Sequence, residues 1–209
     1  MELTANLVLF AIVAAITPGP NNIMIMASGM NFGVRASMPH YFGVCLGVPL
    51  VFLAIGYGWG FVFERYAVLH HFIKIIGVCY LLYLAWLIAL SDTSDIGTQN
   101  AGKSNSKPLS FSQAMLIQWV NPKSLVVGTS VFAAYTTLDK NIDWQIFLIV
   151  LVMFVVTIIA VGIWMLFGVG LRRLLTEPSY RRAFNILMAA LLLLSIWPII
   201  KELAQTHLF

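Results

Sequence analysis

Six apolar runs limit what this chain can become. They cover about residues 4–29, 41–63, 68–90, 111–138, 145–169 and 183–200. Each approaches or exceeds the ~20 residues that cross a bilayer as a helix, the last one marginally. Of the 209 residues, 60% are hydrophobic and only 10% are charged, with a mean hydropathy of +0.91. A soluble domain carries about 25% charged residues. The excess apolar surface has only lipid to face. The pattern predicts an all-α polytopic membrane protein with six transmembrane helices in a single transmembrane domain, 1–209.

The fourth run contains Gln118-Trp119-Val120-Asn121-Pro122-Lys123-Ser124. At ~1.5 Å per helical residue, Lys123 lies roughly 18 Å in from Phe111, near the middle of a ~30 Å hydrocarbon core. Pro122 lacks a backbone donor and turns Asn121 away from helical geometry. Two half-helices are therefore expected, with Asn121 capping the second and Pro122 in its first turn. Lys123 then sits at the positive end of a helix dipole, where a cation is disfavoured. The acidic residues Glu2, Glu64, Asp92, Asp95, Asp139, Asp143, Glu177 and Glu202 all fall at run ends or in connections. Three states stay open for the amine: without its proton, bonded to freed carbonyls, or awaiting an anion from outside. A charge at this depth marks function by default; the alternative is a shallower lysine whose stem reaches water.

The first run is interrupted in the same way, at Ile16-Thr17-Pro18-Gly19-Pro20-Asn21-Asn22-Ile23. Two prolines and a glycine oppose a continuous helix. Asn21 and Asn22 offer amides beside a second half-helix expected from Ile23 onward. The interval from Pro18 to Pro122 equals that from Tyr41 to Gln145, the expected starts of the second spans. A polar Ser/Asn/Gly-rich linker, 91–110, separates 1–90 from 111–209, each holding three spans. An odd number of spans inserts the halves in opposite senses. The expectation is two inverted three-helix repeats with broken first helices, a pattern that points to a transporter site at the repeat interface.

Basic residues give the orientation. Arg35, Lys103, Lys107, Arg172, Arg173, Arg181 and Arg182 fall on one side; Arg65, Lys74, Lys140 and Lys201 fall on the other. The richer side is expected to be cytoplasmic, which puts both termini outside, in the periplasm of a Gram-negative cell. The start lacks a basic leader pattern, so the first run is expected to remain as a helix. The formal charge of +4 is explained by this sidedness and does not indicate nucleic acid. Cys45 and Cys79 form no paired motif. The histidines His40, His70, His71 and His207 lack ligand spacing, so neither metal nor cofactor is expected.

Several residues carry two readings. Gly43 and Gly47, then Gly56 and Gly60, have the small-xxx-small spacing of close helix contact; internal packing is preferred over a homodimer seam. His40, beside Tyr41 at a span mouth, is either interfacial or a proton carrier. Trp59, Trp144 and Trp197 suit an aromatic belt, while Trp119 either lines a cavity or faces lipid. Met24, Met26 and Met30 read as adaptable packing. Pro198 is expected to kink or end the last helix.

Thr17-Pro18-Gly19-Pro20-Asn21-Asn22 together with Asn121-Pro122-Lys123 resembles the LysE/RhtB amino-acid exporter family, along nearly the whole chain. Lys107-Pro108-Leu109-Ser110-Phe111 leading into Gln118-Trp119-Val120-Asn121 is similar to the branch exporting cysteine and O-acetylserine; threonine and homoserine exporters are close relatives. By this resemblance Pro18, Gly19, Pro20, Asn21, Asn121, Pro122 and Lys123 are the motif positions. It implies export of amino acids from the cytoplasm of a bacterium, across the inner membrane, by proton antiport and without enzymatic activity.

The residues then suggest a role for each part of a zwitterion. Its carboxylate would meet Lys123 and half-helix N–H groups. Its ammonium would meet freed carbonyls and the side-chain oxygens of Asn21, Asn22 and Asn121. Lys123 and His40 are the candidates for a proton path. The competing classes are a membrane redox protein, an intramembrane hydrolase and an amino-acid channel. The first lacks deep paired cysteines or histidines, and the second lacks a buried histidine beside Ser28, Ser124 or Ser130.

Overall fold

The computed structural model describes residues 2–59, 67–90, 107–137, 141–175 and 177–206. Among these are seven α-helices and no strand: α1 (Glu2–Ile16), α2 (Pro20–Ala54), α3 (Ala67–Ala89), α4 (Phe111–Leu116), α5 (Pro122–Tyr135), α6 (Ile142–Leu174) and α7 (Pro178–Thr206). A π-turn, Ile55–Trp59, extends α2, and a 3₁₀ turn, Ile117–Trp119, extends α4. By length and composition, three segments can cross a membrane: Pro20–Gly58, Ile142–Arg172 and Pro178–Pro198.

The first of these segments is not straight. Gly33 adopts φ 79°, ψ 177° within α2. In a straight helix residues nine apart are separated by about 13 Å along the axis, yet the hydroxyls of Ser28 and Ser37 are 2.8 Å apart. The chain therefore turns back at Gly33, and α2 is two antiparallel limbs, 20–32 and 34–54. The sequence reading placed a connection from 30 to 40 and a second span from Tyr41. The connection is instead one residue, because glycine alone takes this φ without a Cβ penalty. The equal interval between halves is consequently lost: the following helical segments start at 34 and at Ile142. The first restart is also earlier than expected, at Pro20, where a missing N–H costs nothing.

The helix α6 forms the wall against which α2 lies. Its 33 residues extend about 50 Å, beyond a ~30 Å hydrocarbon core. Contact is closest where side chains vanish: Gly29 lies on the Met165 carbonyl, and Gly168 on the Met26 carbonyl. Without a hydrophobic drive between helices in lipid, such close approach is a main source of cohesion. On its other side α6 exposes Phe147, Leu151, Val155, Ile159, Ile163 and Phe167. This i, i+4 stripe faces outward while Ile146, Ile149, Met153, Ala160 and Val161 are buried, as suits a helix with lipid on one face.

Gly43 and Gly47 are consumed in the same manner, against Phe111–Ala114 and Met115–Gln118 of the fourth-helix region, and Gly56 sits on Phe132. The stripe packs inside the fold and is not free to be a dimer seam; Gly60 lies outside the described residues. Trp144 and Trp197 are each 60% exposed, and the Trp59 side chain is not described. Trp119 packs at the margin of the apolar core. The three methionines are buried, as expected. Pro198 lies within α7, which continues to Thr206, so of the two expected outcomes, a kink or an end, the helix does not end there. Most of the polar linker lies outside the described residues.

The two ends of the bundle differ. At one, Gly33 abuts the Arg172 guanidinium, and Arg181 Nε donates to the Leu175 carbonyl at 2.6 Å. At the other, Gln145 exchanges hydrogen bonds with Thr137, and the Phe10 and Tyr135 rings are 5.9 Å apart. α4 begins at Phe111 against Gly43, nearer the Gly33 end than Gln118 against Gly47, whereas Phe10 of α1 lies at the Tyr135 end, so α1 and α4 enter from opposite ends.

Gly33→Ala would add a Cβ to a left-handed backbone position, 2.7 Å from Arg172 Nη1. A loss of about 1–2 kcal/mol is expected, read as a lower midpoint in unfolding from detergent micelles followed by helical circular dichroism.

Candidate functional site at the two helix breaks

The two interruptions meet. α1 stops at Ile16 because Pro18 cannot continue it, and α2 restarts at Pro20 after extended Gly19 (φ −168°, ψ 176°). α4 tightens into its 3₁₀ turn, and α5 restarts at Pro122. Asn121 caps α5 as expected: its Oδ1 accepts from Lys123 N at 3.1 Å. No side chain caps α2.

Three contacts join the breaks. Asn21 Nδ2 donates to Gln118 Oε1 at 2.6 Å, and Gln118 Nε2 donates back to Asn21 Oδ1 at 3.0 Å. The third is the Lys123 ammonium, which donates to the Thr17 carbonyl. Asn22 Nδ2 supports that carbonyl from the other side, donating to Ala15 O at 2.7 Å and Thr17 O at 3.0 Å. Of the three states left open for Lys123, the structure displays the carbonyl-bonded one.

The reason is electrostatic. The N-terminus of α5 disfavours a cation, by ~0.3–1 kcal/mol at exposed sites. The freed carbonyls at the end of α1 form the negative pole of another helix. Lys123 leaves its own helix end and reaches the opposite end of the other one. Gly19 makes room for this crossing: a Cβ there would lie 2.6 Å from Lys123 Cδ and 3.3 Å from Nζ. Because Gly19 is extended, which any residue tolerates, its glycine identity reflects space and not backbone conformation.

Around the junction lies a cleft of about 60 Å³, lined by Ala14, Ala15, Gly19, Asn21, Asn22, Asn121, Lys123, Ser124 and Thr157, with Val44, Val48, Phe52, Val127, Met153 and Val161 as its apolar wall. Two helix N-termini and an ammonium point to it, and no carboxylate lines it among the described residues. Such a site favours an anionic group. Its size suits the polar head of a small solute, since drug-sized ligands need ~300–1,000 Å³.

The structure brings Gly19, Asn21, Asn22, Asn121 and Lys123 to this cleft. Pro18, Pro20 and Pro122 shape the breaks without lining it. His40 is elsewhere and is not interfacial: it is 1% exposed, inside the protein. Sequence reasoning missed three polar groups. Gln118 is fully buried, holds Asn21, also donates to Ala114 O at 2.8 Å and accepts from Ser124 Oγ at 3.3 Å. Ser124 and Thr157 line the cleft. A polar residue deep in an apolar run was the available signal for all three.

A cleft where two interrupted helices converge inside an apolar helical bundle is a feature shared with membrane transport proteins. The chain belongs to the LysE type translocator family, whose match covers residues 12–195. It is 32% identical over 188 residues to the cysteine/O-acetylserine efflux protein of Escherichia coli O139:H28 (strain E24377A / ETEC), covering 88% of this chain and 90% of that one. The proteins of the same name in Escherichia coli (strain K12) and Shigella sonnei (strain Ss046) are each 32% identical over 187 residues, with the same coverage. No solved structure matches.

The Asn21–Gln118 pair lends itself to a double-mutant cycle with Asn21→Leu and Gln118→Leu. A coupling of about 0.5–2 kcal/mol is expected between these contacting groups, measured by reversible unfolding in mixed micelles. Additive losses would show that the two amides do not hold one another.

Proposed function

We propose that this protein exports small zwitterionic amino acids or close derivatives from the cytoplasm across the bacterial inner membrane. The observation that carries the reading is the junction itself: Lys123 of one break bonded to the Thr17 carbonyl of the other, beside a cleft facing two helix N-termini. Pro18, Gly19, Pro20, Asn21, Asn22, Asn121, Pro122 and Lys123 form the substrate site. The prolines open the helices, and the others touch the solute. The substrate carboxylate takes the Lys123 ammonium and the first N–H groups of α2 and α5. Its ammonium takes the Thr17 carbonyl that Lys123 releases, with the asparagine oxygens. Substrate thus replaces both ends of an internal bond, so binding itself loosens the contact between the breaks.

Residues 1–90 and 111–209 act as two inverted halves that rock about this site. Support comes from the opposite entry directions of α1 and α4 and from paired contacts: α1 packs on α6 as α4 packs on α2. The end holding Gly33, Lys107, Arg172 and Arg181 faces the cytoplasm, and both termini face outward. Cysteine and O-acetylserine, named for the relatives, are the first substrates to test; threonine and homoserine follow. Coupling is by proton antiport, with Lys123 and His40 as the exchanging groups.

Lys123→Met should abolish efflux of labelled O-acetylserine or cysteine from loaded vesicles while membrane insertion is unchanged; efflux at the wild-type rate would refute the assigned role. Gly19→Ala separates site from scaffold. The Lys123 stem can shift away, so the unfolding midpoint should hold. Efflux should fall by about tenfold or more, the equivalent of ~1.4 kcal/mol from a misplaced ammonium. A C-terminal alkaline phosphatase fusion should be active, since that reporter works only outside the cytoplasm.

A further inference from the structure

A second cavity, about 370 Å³ in volume, lies on the far side of the 20–32 limb. Asn21 and Asn22 face the cleft described above, whereas Met24, Ala27, Ser28 and Asn31 face this one. Its other walls come from α3, at Tyr80, Tyr83 and Leu84, and from residues 107–110 with Gln113. It lies toward the Gly33 end of the bundle.

His40 lines it. The ring is 1% exposed, and neither nitrogen has a hydrogen-bond partner among the described residues. A buried polar group without a partner costs about 1–3 kcal/mol. Other polar groups at the wall are engaged: Ser28 with Ser37, Asn31 with Asn185, Ser110 with Gln113. The imidazole in its uncharged form offers one donor and one acceptor. Among the described residues, Lys107 is the one charged residue of the lining, and no carboxylate stands with it. Tyr80 and Tyr83 add hydroxyls and aromatic faces. This chemistry accepts a solute carrying a carboxylate and a hydrogen-bond donor, and it does not favour a bare cation.

We propose that this cavity is a second binding site for a small zwitterionic amino acid, held at His40 with its carboxylate drawn by Lys107. The proposal rests on the export reading and adds a waiting position to it. The Asn21–Gln118 clasp lies between the two chambers, since Asn21 lines one and Gln113, a turn before Gln118, lines the other. Solute arriving from the Gly33 end rests at His40 until that clasp parts.

The test is ¹⁵N-imidazole magnetic resonance on the protein in lipid nanodiscs. A variant with His70, His71 and His207 each replaced by Gln leaves His40 as the sole native histidine and assigns its signals. The probes are glycine, alanine, serine, cysteine, threonine, homoserine and O-acetylserine, added separately. At least one exported probe should shift the His40 signals, and should still do so in Lys123→Met, where efflux is lost. Lys107→Gln should weaken that response about threefold, as for an exposed charge. If a probe is exported but none moves His40, the second site is refuted and the export reading stands. If His40 responds identically with and without Lys107, the assigned carboxylate contact is wrong. If no probe is exported and none moves His40, both readings fall.

Discussion

The meeting of the two helix breaks depends on one cation reaching across to another helix's end. A lysine at the start of α5 opposes that helix's dipole, and among the described residues no carboxylate lines the cleft to offset it. The Thr17 carbonyl does so instead, because α1 has been stopped by Pro18 and its last carbonyls lack intrahelical partners. Each break supplies what the other lacks: one leaves acceptors exposed, the other presents a donor. Neither interruption would be stable alone in lipid, where an unmet backbone group has no water to turn to.

The same demand explains the polar groups around the junction. Asn22 closes the end of α1, Asn121 closes the start of α5, and Asn21 and Gln118 satisfy each other across the seam. Hydrogen bonds inside membranes are individually modest, on average about 0.6 kcal/mol. A junction made of several such bonds is therefore specific in geometry yet cheap to rearrange. That combination suits the opening and closing proposed for the junction. The bulk of the cohesion lies elsewhere, in the close glycine contacts between α2 and α6 and in the apolar clusters on either side of the 20–32 limb.

Glycine serves two separate purposes here. At Gly33 it provides a backbone conformation that folds α2 back on itself. At Gly19 the backbone is ordinary, and the missing Cβ opens a passage for the Lys123 stem. Neither purpose can be read from the glycine itself. Gly33 sits between helical stretches with no proline beside it, so nothing local announced a corner there, and the neighbouring residues read as a longer connection. At Pro198 the sequence left two outcomes, a kink or an end, and only the structure shows that α7 carries through it.

Composition and the length of the apolar runs were enough to establish a helical membrane protein, because the free energy of burying unpaired polar backbone in lipid leaves so few alternatives. The placement of Pro18 and Pro122 within those runs was enough to locate the breaks, and Asn121 was legible as a cap, since both effects act within a turn of chain. Other features came only from the tertiary structure. Lys123 and Thr17 are 106 residues apart, and Asn21 and Gln118 are 97 apart. Which carbonyl faces the amine, which amide meets the asparagine, and that His40 turns inward to a cavity are set by how whole helices lie against each other. Periodicity records which face of a helix is apolar; it carries no information about what stands opposite that face.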